Sequence, residues 1–422
     1  MADENTELED LETFRQRARA WLAKNMPKSG EGSDLEEWGS ADSERTKILQ
    51  RKLFDGGFAG ICYPKAYGGQ GLSPEHQRAF NEECVGYEMP TVWNIPTLTI
   101  IAPTILNFGS EEQKQRYLTS ILRVDEEWVQ FLSEPTGGSD LAGTLTRATK
   151  DGDNWLLNGS KIWSSGAFRC DYALCLARTD WDAPKHAGLT MFMIKVHQPG
   201  ITIDQIKQVG GSMEFCQEFF DDVTIPEEDI LGGLNNGWSV ASELLIHERT
   251  AVGGGSIYTS GPAMRGRRGS GPQLDLVELA TSTGQAADAN VRQLVAEAHV
   301  LGTVNGHLIQ RVSQGMRTGH YTGPAAALLG LYGKDISVRR SEISFRIAGT
   351  AGVAWKKGER TAGRYGEQFI GRQAGQMGGG TIEIQRNIIS ERMLGMPREF
   401  AADRGVAFNE VKHNKMPVRS QD

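Results

Sequence analysis

The residues of this sequence that could do chemistry fall into a few short groups. The densest is Phe131-Leu132-Ser133-Glu134-Pro135-Thr136-Gly137-Gly138-Ser139-Asp140, where successive small residues open backbone N–H groups while hydroxyls and a carboxylate stand close by. A strand-to-turn surface of this kind suits the polar edge of a flat cofactor. Taken by itself, a Gly-rich turn between two domains is the plainer description. His247-Glu248-Arg249-Thr250 follows the apolar run Trp238 to Ile246. There a carboxylate and a guanidinium side by side could do acid–base work, although a Glu-Arg pair late in a helix is ordinarily a solvated face. Gly378-Gly379-Gly380 carries no side chain at all. Trp163, read alone, is ordinary core packing.

The elements that must position these groups change character along the chain. From Leu8 to about Arg123 apolar residues recur at helical spacing, as in Phe14, Ala18 and Leu22 and again in Leu98, Ala102, Ile105 and Leu106. Tyr63-Pro64 through Tyr67-Gly68-Gly69-Gln70-Gly71 is dense in turn residues and reads as an ordered loop between helices. Ser110 before Glu111, Glu112 and Gln113 is a helix cap with acid in the first turn.

From about Trp128 the pattern becomes short apolar runs rich in aromatic and β-branched residues, broken by Asp151-Gly152 and Asn158-Gly159, both read as hairpin turns. The candidate strands are Trp155 to Leu157, Lys161 to Ser164, Tyr172 to Ala177, Thr190 to Ile194, Ile201 to Ile206 and Phe215 to Val223. Helical periodicity returns from Gly237-Trp238 through Ile246, from Val291 to Val312 and from Ala325 to Ile347. Gly253 to Asn290, rich in Gly, Ser and Pro and carrying Arg265, Arg267 and Arg268, reads as a flexible loop. The expected boundaries are a helical domain over 1–125, a β domain over 126–235, a helical bundle over 236–400 and a tail over 401–422.

Composition sets the outer limits. A chain of 422 residues exceeds one ordinary core and divides into two or three packed units. Hydrophobic residues at 39% and charged residues at 23% place it among globular proteins. A net charge of -8 argues against a nucleic-acid surface, and Lys412, Lys415 and Arg419 read as a solvated tail. Five scattered cysteines without a Cys-x-x-Cys pair, and no His at zinc-ligand spacing, make a disulfide framework or a metal site an unexpected feature. The acidic stretch Met1 to Asp10 is neither a secretory signal nor a transit peptide, and no run approaches the ~18 apolar residues of a membrane span. The simplest address is a reducing cytoplasm.

The segment Phe131 to Asp140 closely resembles the signature of the acyl-CoA dehydrogenase family, and further matches follow in that family's order. Tyr63-Pro64 with Tyr67-Gly68-Gly69 resembles its N-terminal loop, and Lys161-Ile162-Trp163-Ser164-Ser165-Gly166-Ala167 resembles its second flavin strand. Gly380-Thr381-Ile382-Glu383-Ile384-Gln385-Arg386-Asn387, continued by Glu391-Arg392-Met393-Leu394-Gly395, resembles its C-terminal signature. The resemblance runs from about Leu8 to Arg398.

The resemblance implies an α+β multidomain fold with an N-terminal α-helical domain, a central β-barrel-like domain and a C-terminal four-helix bundle, with FAD between the β domain and the bundle. It implies that Gln130, Leu132 and Ser133 line the isoalloxazine, with Ser139 near the flavin or the pantetheine arm of the substrate. It further implies that Trp163 packs on the ring, that Ser165 bonds its N5 region, and that Thr381 and Glu383 reach the adenosine-diphosphate end.

The reaction implied is α,β-desaturation of an acyl-CoA to a 2-enoyl-CoA, with electrons leaving to electron-transferring flavoprotein. A carboxylate must then face the α carbon across from the flavin. Many relatives place it immediately before the Gly-Thr of the C-terminal signature, where this chain has Gly379. A minority supplies it from the helix that begins the bundle, and the matching residue is Glu248, with Arg249 beside it to bind or position the substrate. This position is compatible with long, branched or steroid side-chain thioesters.

The Arg-x-x-Phe-Gly segment that in relatives reaches a neighbouring subunit's FAD has no counterpart, and Arg346-Ile347-Ala348-Gly349 replaces Gln-x-x-Gly-Gly. A homodimer or an assembly with a paralogous partner therefore stands beside the family's homotetramer. Two further readings stay open: a partner subunit that has lost catalysis, and a flavin monooxygenase or oxidase on the same fold.

Overall fold

The computed structural model describes residues 8–29, 42–252, 255–261, 275–354 and 360–411. Helix α1 (Leu11–Asn25) starts where the Asp10 carboxylate accepts the N–H groups of Glu12 and Thr13, and it buries Phe14, Ala18 and Leu22 at four-residue steps. With α2 (Asp42–Asp55) and α3 (Pro74–Glu83) it closes on Phe58, which stacks on Phe80 at 5.2 Å and meets Phe14 edge-on at 5.9 Å.

The turn-rich loop is ordered as expected. Gly71 N–H donates to the Tyr63 carbonyl at 2.7 Å, and the Tyr63 hydroxyl donates to the Leu98 carbonyl at 2.9 Å. A π-helical stretch, Asn94–Ile101, leads into α4 (Ala102–Phe108) and α5 (Glu111–Arg123). Ser110 and Gln113 form the reciprocal cap of α5.

The middle third is a sheet of β1 (Trp128–Phe131), β2 (Arg147–Asp151), β3 (Asn154–Ser165), β4 (Tyr172–Arg178), β5 (Leu189–Lys195), β6 (Ile201–Ile206), β7 (Phe215–Pro226) and β8 (Ile230–Leu231). The order is β6-β7-β3-β2-β4-β5-β8, with β1 parallel to β4. Asp151-Gly152 is indeed a hairpin tip, between β2 and β3. Asn158-Gly159 is not: β3 runs through it, and the pairing with β7 shifts register between Leu157 and Gly159. Gly159, at φ +144°, lies against the Thr146 backbone, where a Cβ would come within 2.8 Å. The Asn158 side chain bonds to Asp222 on β7, so these residues make a bulge rather than a turn.

Helix α6 (Gly237–Val252) packs Val240, Ala241 and Leu244 against the sheet and the Asn94–Ile101 stretch. The segment 255–261 then crosses the N-terminal domain, with Tyr258 on Tyr63 at 4.6 Å and Ser260 N–H on the Asn94 carbonyl side chain at 2.9 Å. Helix α7 (Leu276–Ser282) follows, so these parts of the expected loop are packed, whereas Arg265, Arg267 and Arg268 lie outside the described residues. Helix α9 (Ala326–Ala348) receives α8 (Ala289–Arg317), α10 (Arg360–Gly371) and α11 (Ile382–Ile388).

Residues 401–411 return to the β domain. Phe408 is fully buried beneath the Arg178 guanidinium, 3.4 Å from the ring centroid, and Asp403 pairs with Lys185 at 2.8 Å. That part of the expected tail is docked, and Lys412, Lys415 and Arg419 lie outside the described residues. No helix among the described residues is long and apolar enough to cross a membrane.

Candidate active site

Strand β1 delivers the signature loop, and its placement is over-determined. Trp128 stacks on Tyr172 of β4 at 4.8 Å, with Tyr117 of α5 edge-on at 5.1 Å. The Thr97 hydroxyl meets both the N–H and the carbonyl of Trp128, at 3.2 and 3.0 Å, satisfying backbone groups on that strand.

Beyond β1 the loop is bolted to β3. Lys161, wholly buried, donates to the Leu132 carbonyl and to Glu134 Oε1, both at 2.9 Å. Glu134 also accepts the N–H groups of Leu145 and Thr146 at 2.7 and 2.9 Å. Burial alone would push this carboxyl up, but the Lys161 ammonium and the N–H donors outweigh it and hold the pKa below the usual carboxylate value. Ile162 N–H donates to the Ser133 carbonyl at 2.9 Å, so the two motifs share an edge.

On that shared edge Trp163 sits at a second bulge of β3, with φ +67° and 55% of its surface exposed, and Phe215 meets it edge-on at 5.9 Å. A large aromatic held in a strained conformation with its face open suits stacking on a flat ring. Ser165 closes the same strand opposite Phe215. Next to Trp163, Ser164 hydrogen-bonds Glu218 of β7, whose carboxyl is pushed up to about 8 by burial.

Helix α6 brings Glu248 to the end of β1. Gln130 Nε2 donates to Glu248 Oε2 at 3.0 Å. A Cβ built on Gly379 would stand 3.8 Å from Glu248 Oε1, so the carboxylate lies beside the position that has no side chain. Arg249 is partly buried. Burial lowers its pKa from the ordinary value, Glu248 opposes the shift and Arg392 reinforces it.

Two residues that sequence reasoning passed over shape the glycine run. Lys334 of α9 donates to the carbonyls of Gly378 and Gly380 at 2.5 and 2.7 Å, and Gln385 donates to those of Gly379 and Gly380 at 3.1 and 3.3 Å. Gln385 was visible inside the C-terminal signature, but Lys334 carries no sequence signal beyond its place in an amphipathic helix.

The remaining expected site residues are spread more widely. Thr381 caps α11, its hydroxyl accepting Ile384 N–H at 3.3 Å. Glu383 is exposed on the first turn of that helix, where its own N–H and the Thr381 hydroxyl lower its pKa. Ser139 is exposed on the signature loop beside Asp140, which pairs with Lys185 at 2.8 Å.

The expected cofactor has a place to go. Gln130 Oε1 is buried with no partner, the Trp163 face is open, and hydroxyls and backbone of Leu132, Ser133 and Ser165 gather on one edge. An orphaned buried acceptor is matched by a donor on a ligand. Among the described residues no group of three or more His, Cys, Asp or Glu side chains could hold a metal.

Comparison with known proteins gives this geometry its relatives. Three family profiles match consecutive stretches: "Acyl-CoA dehydrogenase, N-terminal domain" over 8–125, "middle domain" over 130–223 and "C-terminal domain" over 235–394. The acyl-CoA dehydrogenase IpdE1 of Mycobacterium tuberculosis is 32% identical over 406 residues, covering 93% of this chain and 99% of that protein. Its namesake in Mycolicibacterium smegmatis is 31% identical, covering 92% and 99%. Among solved structures, the "Tcur3481-Tcur3483 steroid ACAD" superposes with a TM-score of 0.71 at 28% identity, covering 94% of this chain and all of that one. A chain of the ChsE4-ChsE5 complex from Mycobacterium tuberculosis superposes with a TM-score of 0.66 at 23% identity, covering 94% of this chain, a likeness of fold.

Proposed function

The chain belongs to the acyl-CoA dehydrogenase family, a family of flavin-dependent oxidoreductases acting on acyl-CoA, and from that premise we propose that Glu248 is the base that removes the α proton of the bound thioester. The observation that carries the reading is the carboxylate oxygen 3.8 Å from the Cβ position of Gly379, where many relatives place their base. Helix α6 supplies from a rigid element what the glycine run lacks.

Gln130, Leu132, Ser133, Trp163 and Ser165 would hold FAD, with Thr381 and Glu383 toward its adenosine-diphosphate end, and the bound flavin would supply the acceptor for the hydride from the β carbon. Glu248 takes the α proton as the α–β double bond forms, so the product is a 2-enoyl-CoA and the proton rests on the carboxylate. Arg249, next to Glu248 on α6, adds positive charge beside that carboxylate. Ser139 contacts the pantetheine arm or the flavin.

The acyl group is a bulky one, of the steroid side-chain class. Support comes from the solved relative at 28% identity whose name says steroid, and from the absence of a side chain at Gly379. The same name joins two components, which supports assembly with a second, paralogous chain over a simple homotetramer. Electrons leave to electron-transferring flavoprotein in the cytoplasm.

The test is anaerobic mixing of the FAD-loaded protein with short, long, branched and steroid-linked CoA thioesters. Glu248→Gln is expected to keep its flavin and to lose flavin bleaching by at least three orders of magnitude. Bleaching at the original rate would remove Glu248 from the mechanism, and bleaching by none of the thioesters in the unaltered protein would favour a non-catalytic partner subunit.

A further inference from the structure

Gln130 belongs to neither the glycine run nor α6, yet its side chain donates to the acid. We propose that Gln130 is a positioning residue for the Glu248 carboxylate, holding it ionised and aimed. The proposal rests on the reading of Glu248 as the base.

The amide reaches the acid from a fixed strand. β1 has four residues, pairs with β4 in register Gln130 to Leu174, and is pinned at Trp128 by Thr97. Its Nε2 lies 3.0 Å from Glu248 Oε2, a normal charge-assisted hydrogen bond. The amide orientation follows from chemistry, because an ionised carboxylate only accepts and the amide nitrogen must face it.

Glu248 Oε2 is tied to Gln130, while Glu248 Oε1 is the one near the Gly379 position. A hydrogen bond donated to a carboxylate favours its charged form. Gln130 does not titrate, so the bond acts at every pH at which the acid is ionised. The other end of the amide, Oε1, is buried without a partner. A donor on the bound ligand would engage that oxygen and lock the amide, coupling occupancy of the site to the aim of the base.

The charged surroundings are shared by the variants that test this. Arg249 follows Glu248 on α6, Arg392 lies after α11, and Lys334 of α9 binds the carbonyls flanking Gly379. His247 and Glu243 on α6 pair with each other at 3.6 Å. The Asn94–Ile101 stretch and α4, both packed on α6, contain no titratable side chain. β4 and β5 bring Tyr172, Cys175, Arg178 and Lys195.

The experiment uses the full chain loaded with FAD, with palmitoyl-CoA and a steroid side-chain CoA thioester as probes, and follows anaerobic flavin reduction from pH 5 to 9. In Gln130→Met the donor is lost at nearly constant volume. Its midpoint for flavin reduction is expected to rise by about one pH unit, with a roughly tenfold loss of rate at the plateau and less than a threefold change in KM. Gln130→Glu puts a second carboxylate against the first and moves the midpoint further up.

A second readout needs no turnover. The carboxyl infrared band that disappears in Glu248→Gln apoprotein is expected to titrate higher in Gln130→Met apoprotein. Unchanged midpoints in both variants, or loss of FAD from both with an unmoved infrared band, would overturn the proposal. Glu248→Gln run alongside separates the two levels: if it still bleaches, the base assignment falls and this inference with it, whereas a dead Glu248→Gln beside a Gln130→Met of original midpoint sinks the inference alone.

Discussion

Lys161→Met is the most informative perturbation of the scaffold. Lys161 is wholly buried and Glu134 nearly so, and the pair is 2.9 Å apart. Removing one partner of a buried, hydrogen-bonded pair costs about 3–5 kcal/mol, because the other charge is left without compensation. The Leu132 carbonyl also loses its donor, which adds ~1 kcal/mol. A fall in melting temperature on the order of 10 °C follows from that sum.

The pH dependence has a definite sign. In the native protein Glu134 titrates below its ordinary value of 4.5, so its stabilisation is complete above that value and is lost as pH falls through the depressed one. In Lys161→Met the burial remains and the cation is gone, so the Glu134 pKa rises and the cost of the variant is greatest at pH 8 and shrinks toward pH 5. Thermal melts across pH, read with Glu134→Gln and the double variant, check this. The double variant is expected to be more stable than the sum of the two singles implies, since it leaves no buried unpaired charge. A loss under ~1 kcal/mol at pH 8, or a strictly additive double variant, would refute the account. Flavin retention should fall with stability, because Lys161 sets the position of Leu132.

Other parts of the site make separate claims. Glu218 titrates at about 8, above its ordinary 4.5, so the neutral form is favoured on folding and stability drains away as pH rises between those values. Glu218→Gln is therefore expected to match the parent at pH 5 and to exceed it by up to about 4 kcal/mol at pH 9, read from melting curves. Gly379→Ala places a Cβ at φ +69° and should cost ~1 kcal/mol, while its 3.8 Å clearance from Glu248 leaves flavin reduction by thioester within a few-fold of the parent.

Much of this was legible in the residues, in the order helices, strands, helices, and in the cap at Ser110. What misled was Asn158-Gly159, a pair with the local chemistry of a hairpin. It became a bulge because β7 offers twelve residues of pairing on the far side and continuing β3 satisfies more backbone than turning would. Strand β2 went unread because Arg147-Ala148-Thr149-Lys150-Asp151 buries Ala148 alone and so shows no alternation.

Glu248 is pointed to by the family resemblance, whose alternative base position it matches, yet a direct signal also exists in the sequence. Val240, Leu244 and Glu248 fall at four-residue steps, so the acid lies on the stripe that the helix buries. A charge continuing an apolar stripe is a stronger sign of function than a Glu-Arg pair. Lys334 and Gln130 were not legible as partners of the glycine run and the acid, because both contacts join elements far apart in sequence, at separations of 44 and 118 residues.

These long-range contacts bear on why the acid resides on a helix. A side chain at 379 would need φ +69°, and its neighbour 380 sits at +80°, in backbone that Lys334 and Gln385 hold from both sides. Glycine at 379 is thus part of a wall whose carbonyls are turned away to fixed donors, not a simple deletion of a base. On the proposed reading, a base carried by α6 leaves that wall free of side chains, and the thioester can bring bulk past it without displacing the acid. Returning a glutamate to 379 would restore the usual sequence pattern and lose twice over, to backbone strain and to like-charge repulsion from Glu248. The two positions are therefore exclusive within this backbone, and the choice between them is made by the conformation of the glycine run.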